Sequence, residues 1–174
     1  MNLSSLITIF SALEKAKVRY LVVGGVAVVT HGYPRLTMDL DLVIQLVSDN
    51  LQAAFHVFKD FGYRPSIPIS LKDFVDPSIR EQWIREKGMM VLNLYSDNLP
   101  ETPLDIFVSE PFDFDKEYET AFHAEITPGL IVPFVSISTL ISMKKNSGRS
   151  LDNDDIKQLE QILKERNNDR KGSK

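Results

Sequence analysis

The stretch that most constrains this chain is Met38 to Val47, MDLDLVIQLV. Acid and apolar residues alternate at its start, and the run then turns apolar. Such a segment reads as a central, buried strand, so the rest of the chain must build a sheet around it. Its two carboxylates, Asp39 and Asp41, then stand at one end of that strand. Residues i and i+2 share a face of a strand and lie about 6.6 Å apart, at ~3.3 Å rise per residue. Like charges so placed are costly unless a cation or hydrogen bonds compensate them. Two oxygen-ligated cations ~3.5–4 Å apart would sit between such side chains. The competing account is that both aspartates cap the strand end in water.

The remaining segments supply that sheet and its cover. Leu3, Leu6, Ile7, Phe10 and Leu13 recur at helical spacing, predicting an amphipathic helix from Ser4 or Ser5 to about Lys17. Arg19 to Val23 is a short β-rich run that ends in Gly24-Gly25, and Val26 to His31 follows as a short helix that Pro34 ends. Leu51 to Phe61 is a helix stopped by Gly62, and Leu71 to Lys87 is a polar helical region holding the only tryptophan, Trp83. Met89 to Tyr95 and Leu104 to Val108 read as antiparallel strands joined by the loop Ser96 to Pro103. The acidic stretch Glu110 to Glu119 reads as a solvated loop or edge. Ala121 to Ile126 and Leu130 to Phe134 flank Pro128-Gly129, the pair suited to a type II turn, and form a hairpin. Helices over Ile137 to Lys145 and Asp152 to Arg166 close the chain, the second capped by Asp152. The expected class is α/β (α+β): a mixed twisted sheet flanked by helices, in one domain over 1–166 with a polar, disordered tail over 167–174.

Composition removes other classes. The chain has no cysteine, which excludes a disulfide framework, a thiol nucleophile and a cysteine-ligated zinc. Its three histidines, His31, His56 and His123, are scattered, against a histidine-built metal site. Lys and Arg number 20 against 24 Asp and Glu, so an extended nucleic-acid surface is not expected and any such contact must be local. The longest apolar run, Tyr20 to Val29, is far short of the ~20 residues a membrane span needs. With no basic n-region, and with Ser4, Ser5 and Thr8 breaking the first apolar stretch, no signal peptide is expected and the location is cytoplasmic.

Two further features stand beside the acid strand. Gly24-Gly25 lies between an apolar strand and a helix, where glycines allow close backbone approach and helix N–H groups favour an anion such as phosphate. A tight turn that packs the helix on the sheet is the plainer account. Asp105, in Leu104-Asp105-Ile106-Phe107-Val108, is an acid amid strand-forming apolar residues. If its strand lies beside that of Asp39 and Asp41, three hard oxygen ligands come together; if it lies on an edge, the acid faces water.

Together these residues resemble the nucleotidyltransferase superfamily of polymerase-β type. The resemblance runs from Val23-Gly24-Gly25, through Asp39-Leu40-Asp41-Leu42 thirteen residues on, to Leu104-Asp105-Ile106. It is nearer to single-domain bacterial nucleotidyltransferases of the toxin and abortive-infection kind, whose Arg-x-Thr-x-Asp-x-Asp is matched by Arg35 to Asp41. Met143-Lys144, Gly148-Arg149 and Asp152-Asn153-Asp154-Asp155-Ile156 look like the late segment of those proteins. One departure is Leu151, which stands where a basic residue often precedes the first aspartate of that segment.

The resemblance implies transfer of a nucleoside monophosphate from an NTP to a hydroxyl acceptor, with Mg²⁺ or Mn²⁺ as cofactor. Asp39, Asp41 and Asp105 would be metal ligands and catalytic, with Asp105 nearer the acceptor and able to take its proton. Gly24 and Gly25 would cradle phosphates, and Arg35, Thr37 and Lys144 would bind the nucleotide. For Arg35 the rival is pairing with an acid of its own loop, and for Lys144 a plain surface lysine. Arg149, Asp152 and Asp155 would lock the last helix to the core. His31 could line the pocket or simply be packed. Trp83 with Arg80, Arg85 and Lys87 could steer nucleic acid or belong to a packed helix. The implied acceptors are RNA, such as a tRNA 3′ end, or a protein, with a cognate antitoxin as partner; the alternative acceptor is a small antibiotic. From another class comes a non-catalytic nucleotide-binding member of a toxin–antitoxin pair.

Overall fold

The computed structural model describes residues 1–150 and 152–172, with side chains through Asp169, so Leu151 lies outside the described residues. Helix α1 spans Leu3–Lys15 and buries Leu6, Ile9, Phe10 and Leu13, the stripe that its spacing predicts. Its cap is Asn2, whose side chain accepts from the Ser4 N–H at 2.8 Å, rather than either serine. Strand β1 (Tyr20–Val22) leads directly into α2 (Gly24–His31), and β2 (Leu40–Ile44) follows. Helix α2 ends because Gly32 adopts φ +115°, two residues before Pro34.

Helix α3 (Ser48–Asp60) leads to a two-residue strand β3 (Arg64–Pro65), which the sequence did not reveal. The polar region after it is two helices, α4 (Leu71–Val75) and α5 (Pro77–Lys87). Pro77 occupies the first turn of α5, where a missing N–H costs nothing, and Asp76 caps it by accepting from Ser78 N–H at 2.8 Å. Arg80 is buried and donates to the carbonyls of Phe74 and Val75 at the end of α4. Trp83 packs beside Phe74 with ring centroids 6.3 Å apart, so it belongs to the core rather than to an exposed stacking surface.

Strands β4 (Val91–Tyr95) and β5 (Leu104–Phe107) are antiparallel, as expected. The acidic stretch after them contains a helix, α6 (Phe114–Glu119), because Asp113 caps it and Phe114 is buried as its anchor. The hairpin β6 (Phe122–Thr127) and β7 (Leu130–Phe134) turns at Pro128-Gly129. Helix α7 spans Ile137–Ser147, and α8 runs from Asp152 through Gly172, so residues 167–172 continue a helix where the sequence suggested a tail.

The seven strands form one mixed sheet in the order β3-β4-β5-β2-β1-β7-β6. Its centre is the run of parallel and antiparallel pairs β5–β2–β1–β7. Leu40, Leu42, Val43 and Ile44 of β2 are all buried, which requires cover on both faces of that strand. At the β3–β4 end the cover is one-sided: Leu92 and Leu94 are buried, whereas Asn93 and Tyr95, which alternate with them, are exposed. No described helix is long and apolar enough to cross a membrane.

Candidate active site

Strands β2 and β5 run parallel, with Asp41 directly opposite Asp105. Register partners share a face, so the acid of the apolar LDIFV run stands beside the acid strand, as the sequence required for a common site. Asp39 sits just before β2, which is shorter than the run 38–47 suggested. In the described arrangement no three acid or histidine side chains are close enough to hold an ion. The three carboxylates nevertheless act on one another. Burial above all, then the charges of Asp39 and Asp105, push the Asp41 carboxyl up to about 7. Asp105 is also raised, chiefly by burial and by Asp39, against the hydrogen bond it accepts from Asn93 Nδ2 at 2.6 Å. Three hard oxygen donors with unbalanced negative charge fit an oxygen-preferring divalent cation in donor type and charge.

The glycine pair closes on this group from above. Gly24 has φ +62°, and a Cβ there would stand 1.9 Å from Asp41 Oδ2. A side chain is therefore excluded twice, by conformation and by space. Gly25 lacks room for a Cβ because Thr37 Oγ1 would lie 2.3 Å from it. Its backbone N–H donates to Asp41, so the start of α2 is aimed at the carboxylate. Thr37 is wedged between Gly25 and Asp39, with its hydroxyl 3.3 Å from the Asp39 carbonyl and 3.4 Å from its carboxylate.

The cations named from the sequence are brought near but are already engaged. Lys144 is buried and pairs with Asp152 and Asp155, each at 2.8 Å. Arg35 pairs with Asp155 of α8 and not with an acid of its own loop. Lys144 still bears on Asp41, lowering its proton affinity through charge. Arg149 makes no ion pair among the described residues and bears on both Asp105 and Asp152. His31 is packed, with Nε2 2.8 Å from the Val135 carbonyl and its ring 5.0 Å from that of Phe122. Asn93 is the site neighbour that sequence reading missed. Its only signal was the paired-strand register, which places it opposite Asp105.

No family model matches the chain, and no curated protein matches it. Solved structures do. The lincomycin-bound lincosamide antibiotic adenylyltransferase LnuA superposes with a TM-score of 0.60 at 18% identity, over 91% of this chain and 96% of its own. A Thermotoga maritima protein assigned as a nucleotidyltransferase gives 0.55 at 17% identity, over 94% and 92%. The antibiotic-resistance factor ANT(2'')-Ia gives 0.57 at 12% identity, over 94% and 83%. The fold is that of nucleotidyltransferases. These three neighbours do not single out the toxin-like branch, which the motifs resemble.

Proposed function

We propose that the chain is a nucleotidyltransferase that moves a nucleoside monophosphate from an NTP to a hydroxyl acceptor. The observation that carries this reading is the in-register pair Asp41–Asp105 on parallel strands, beneath a helix start that only glycine permits. Asp39, Asp41 and Asp105 would hold Mg²⁺, or Mn²⁺ in its place. When bound, that ion would neutralise the carboxylates and the triphosphate together. The α2 amides at Gly24 and Gly25 would meet phosphate oxygens. Asp105 would accept the acceptor's hydroxyl proton. The acceptor oxygen then bonds to the α-phosphorus while the bond to the bridging oxygen breaks and pyrophosphate leaves. Arg35 and Lys144, held by Asp155 and Asp152, would serve the site by fixing the 35–39 segment and α7, and Thr37 would orient Asp39.

The motif likeness favours an RNA 3′ end or a protein as acceptor, with a cognate antitoxin. The fold neighbours LnuA and ANT(2'')-Ia favour a small antibiotic. The test is incubation with each of the four NTPs labelled at the α-phosphate, Mg²⁺, and total RNA, protein or small-molecule fractions. Transfer that disappears in Asp39→Asn and Asp41→Asn supports the reading. Absence of label in every fraction, with partner association unchanged in those variants, favours the non-catalytic nucleotide-binding alternative.

A further inference from the structure

The rows of the sheet continue past the acids. Asp41, Asp105 and Asn93 are register partners across β2, β5 and β4, and so form one row on one face. Tyr95 lies two residues beyond Asn93 on the same face of β4, about 6.6 Å along the strand. Arg64 of β3 is the register partner of Tyr95. This face of the sheet is open at the β3–β4 end: Asn93 is exposed, Tyr95 keeps 41% of its surface, and Arg64 is half-exposed.

The strip is ordered although it is bare. The Arg64 guanidinium lies 4.4 Å from the centroid of the Tyr95 ring, donates from Nε to the Tyr95 hydroxyl at 2.8 Å, and pairs with Asp97 at 2.7 Å. The ring is thus held by Arg64 while 41% of the Tyr95 surface stays exposed. Asn93 gives one side-chain amide hydrogen to Asp105, and its side-chain oxygen Oδ1, unlike its backbone carbonyl, which accepts from Ser66 N–H, has no partner among the described residues. That oxygen can accept from a hydroxyl or an ammonium group, and it stands beside the carboxylate that would take an acceptor's proton.

Charge narrows what can lie there. A nucleic-acid strand needs cations to replace its counterions. Arg64 is bound to Asp97, Arg35 to Asp155, and Lys144 to Asp152 and Asp155; of the site's cations Arg149, which bears on Asp105, makes no ion pair among the described residues, and one such charge is few for a strand. The strip itself runs from the Asp105 carboxylate to the Arg64–Asp97 pair, whose charges offset one another. It offers an aromatic face, a side-chain carbonyl acceptor and the Asp105 carboxylate, which suit a saturated ring bearing hydroxyls.

We propose that the bare strip of Asn93, Tyr95 and Arg64 is the acceptor subsite, and that it takes an uncharged or cationic hydroxylated ring rather than a nucleic-acid end. This rests on the nucleotidyl-transfer reading above. Asn93 is a positioning residue that orients Asp105, and Tyr95 seats the ring.

The full chain, with Mg²⁺ and α-labelled NTPs, is given water alone, lincomycin, methyl glucoside or deacylated tRNA. Label is expected in a ring compound and not in tRNA. Tyr95→Ala raises KM for that compound about five- to tenfold, with kcat moved far less, and Tyr95→Phe restores it because the ring does the seating. Asn93→Ala lowers kcat about tenfold or more, since a hydrogen bond to a charged group is lost, while KM for the NTP stays in place. Label in tRNA alone overturns the proposal. So does transfer to a ring compound that Tyr95→Ala and Asn93→Ala leave unchanged, or Asp41-dependent release of NMP into water with no ring compound labelled. If the wild-type chain turns over no NTP even with water, the underlying transferase reading falls, and the subsite with it.

Discussion

Two clusters of charge lie side by side in this molecule, and they are finished to different degrees. In the first, Arg35 and Lys144 meet Asp152 and Asp155, so each buried charge has an opposite neighbour. In the second, Asp39, Asp41 and Asp105 repel one another, and Asp41 is driven up to about 7 by burial and by that repulsion. The balanced cluster joins α7 and α8 to the segment that leads into β2. The unbalanced one is where the proposed function would seat a cation. A protein tolerates such an imbalance where function needs it, and the complete cluster next to it supplies the rigidity.

The difference can be broken from either side. The largest effect belongs to Asp41→Asn, which should lower NTP turnover about 10²–10³-fold. The same change should raise the unfolding temperature of the metal-free chain at pH 8, because it removes a buried, repelled carboxylate. A calorimetric scan with and without Mg²⁺ reads both halves of that expectation; a metal-free variant less stable than wild type would contradict it. Asp155→Ala should do the opposite to stability. It strands Arg35, leaves Lys144 with Asp152 alone, and should cost about 3 kcal/mol, read as a lower urea midpoint. Lys145→Ala, which breaks the solvent-screened pair with Glu160, should leave the midpoint in the same assay almost unmoved.

Gly24→Ala tests the contact between helix start and acid. The φ of +62° and the 1.9 Å approach to Asp41 predict a cost of about 1–3 kcal/mol and a loss of turnover beyond it. Native-like stability together with full turnover would show that α2 is not fitted to Asp41 as described. The smallest effect concerns pH. Burial lowers the proton affinity of His31, and the Arg166 charge adds to this against the Val135 carbonyl. The folded state therefore favours the neutral ring. Its contribution to stability is complete above pH 6.5 and declines as pH falls below that value toward the lowered folded pKa. His31→Gln should flatten the acid side of the stability curve, as followed by thermal melts from pH 5 to 8.

Much of the fold was legible because it follows hydrophobic period. The α1 stripe, the strand Leu40–Ile44, the helix stopped near Gly62 and the hairpin at Pro128-Gly129 are all local patterns. What escaped was decided by small polar contacts or by distance along the chain. Asp76 with Pro77 splits one helical region into two, and Asp113 with Phe114 turns an acidic stretch into α6. Strand β3 is two residues long and exists only because Tyr95 and Leu94 offer it partners. In the site, the acids could be named from spacing, but the partners of Arg35 and Lys144 could not. Those depend on where α8 lands, and no periodicity encodes that.

The pairing of β2 with β5 has a consequence for how the molecule is made. Residues 41 and 105 become neighbours only when β5 docks on β2, with α3, β3, α4, α5 and β4 lying between them in the chain. A growing chain thus carries no assembled centre until its fifth strand docks, and a cut in the loop 96–103 leaves two inert pieces. Whatever chemistry the acids perform reports on completed assembly, so rejoining such fragments would restore it all at once or not at all.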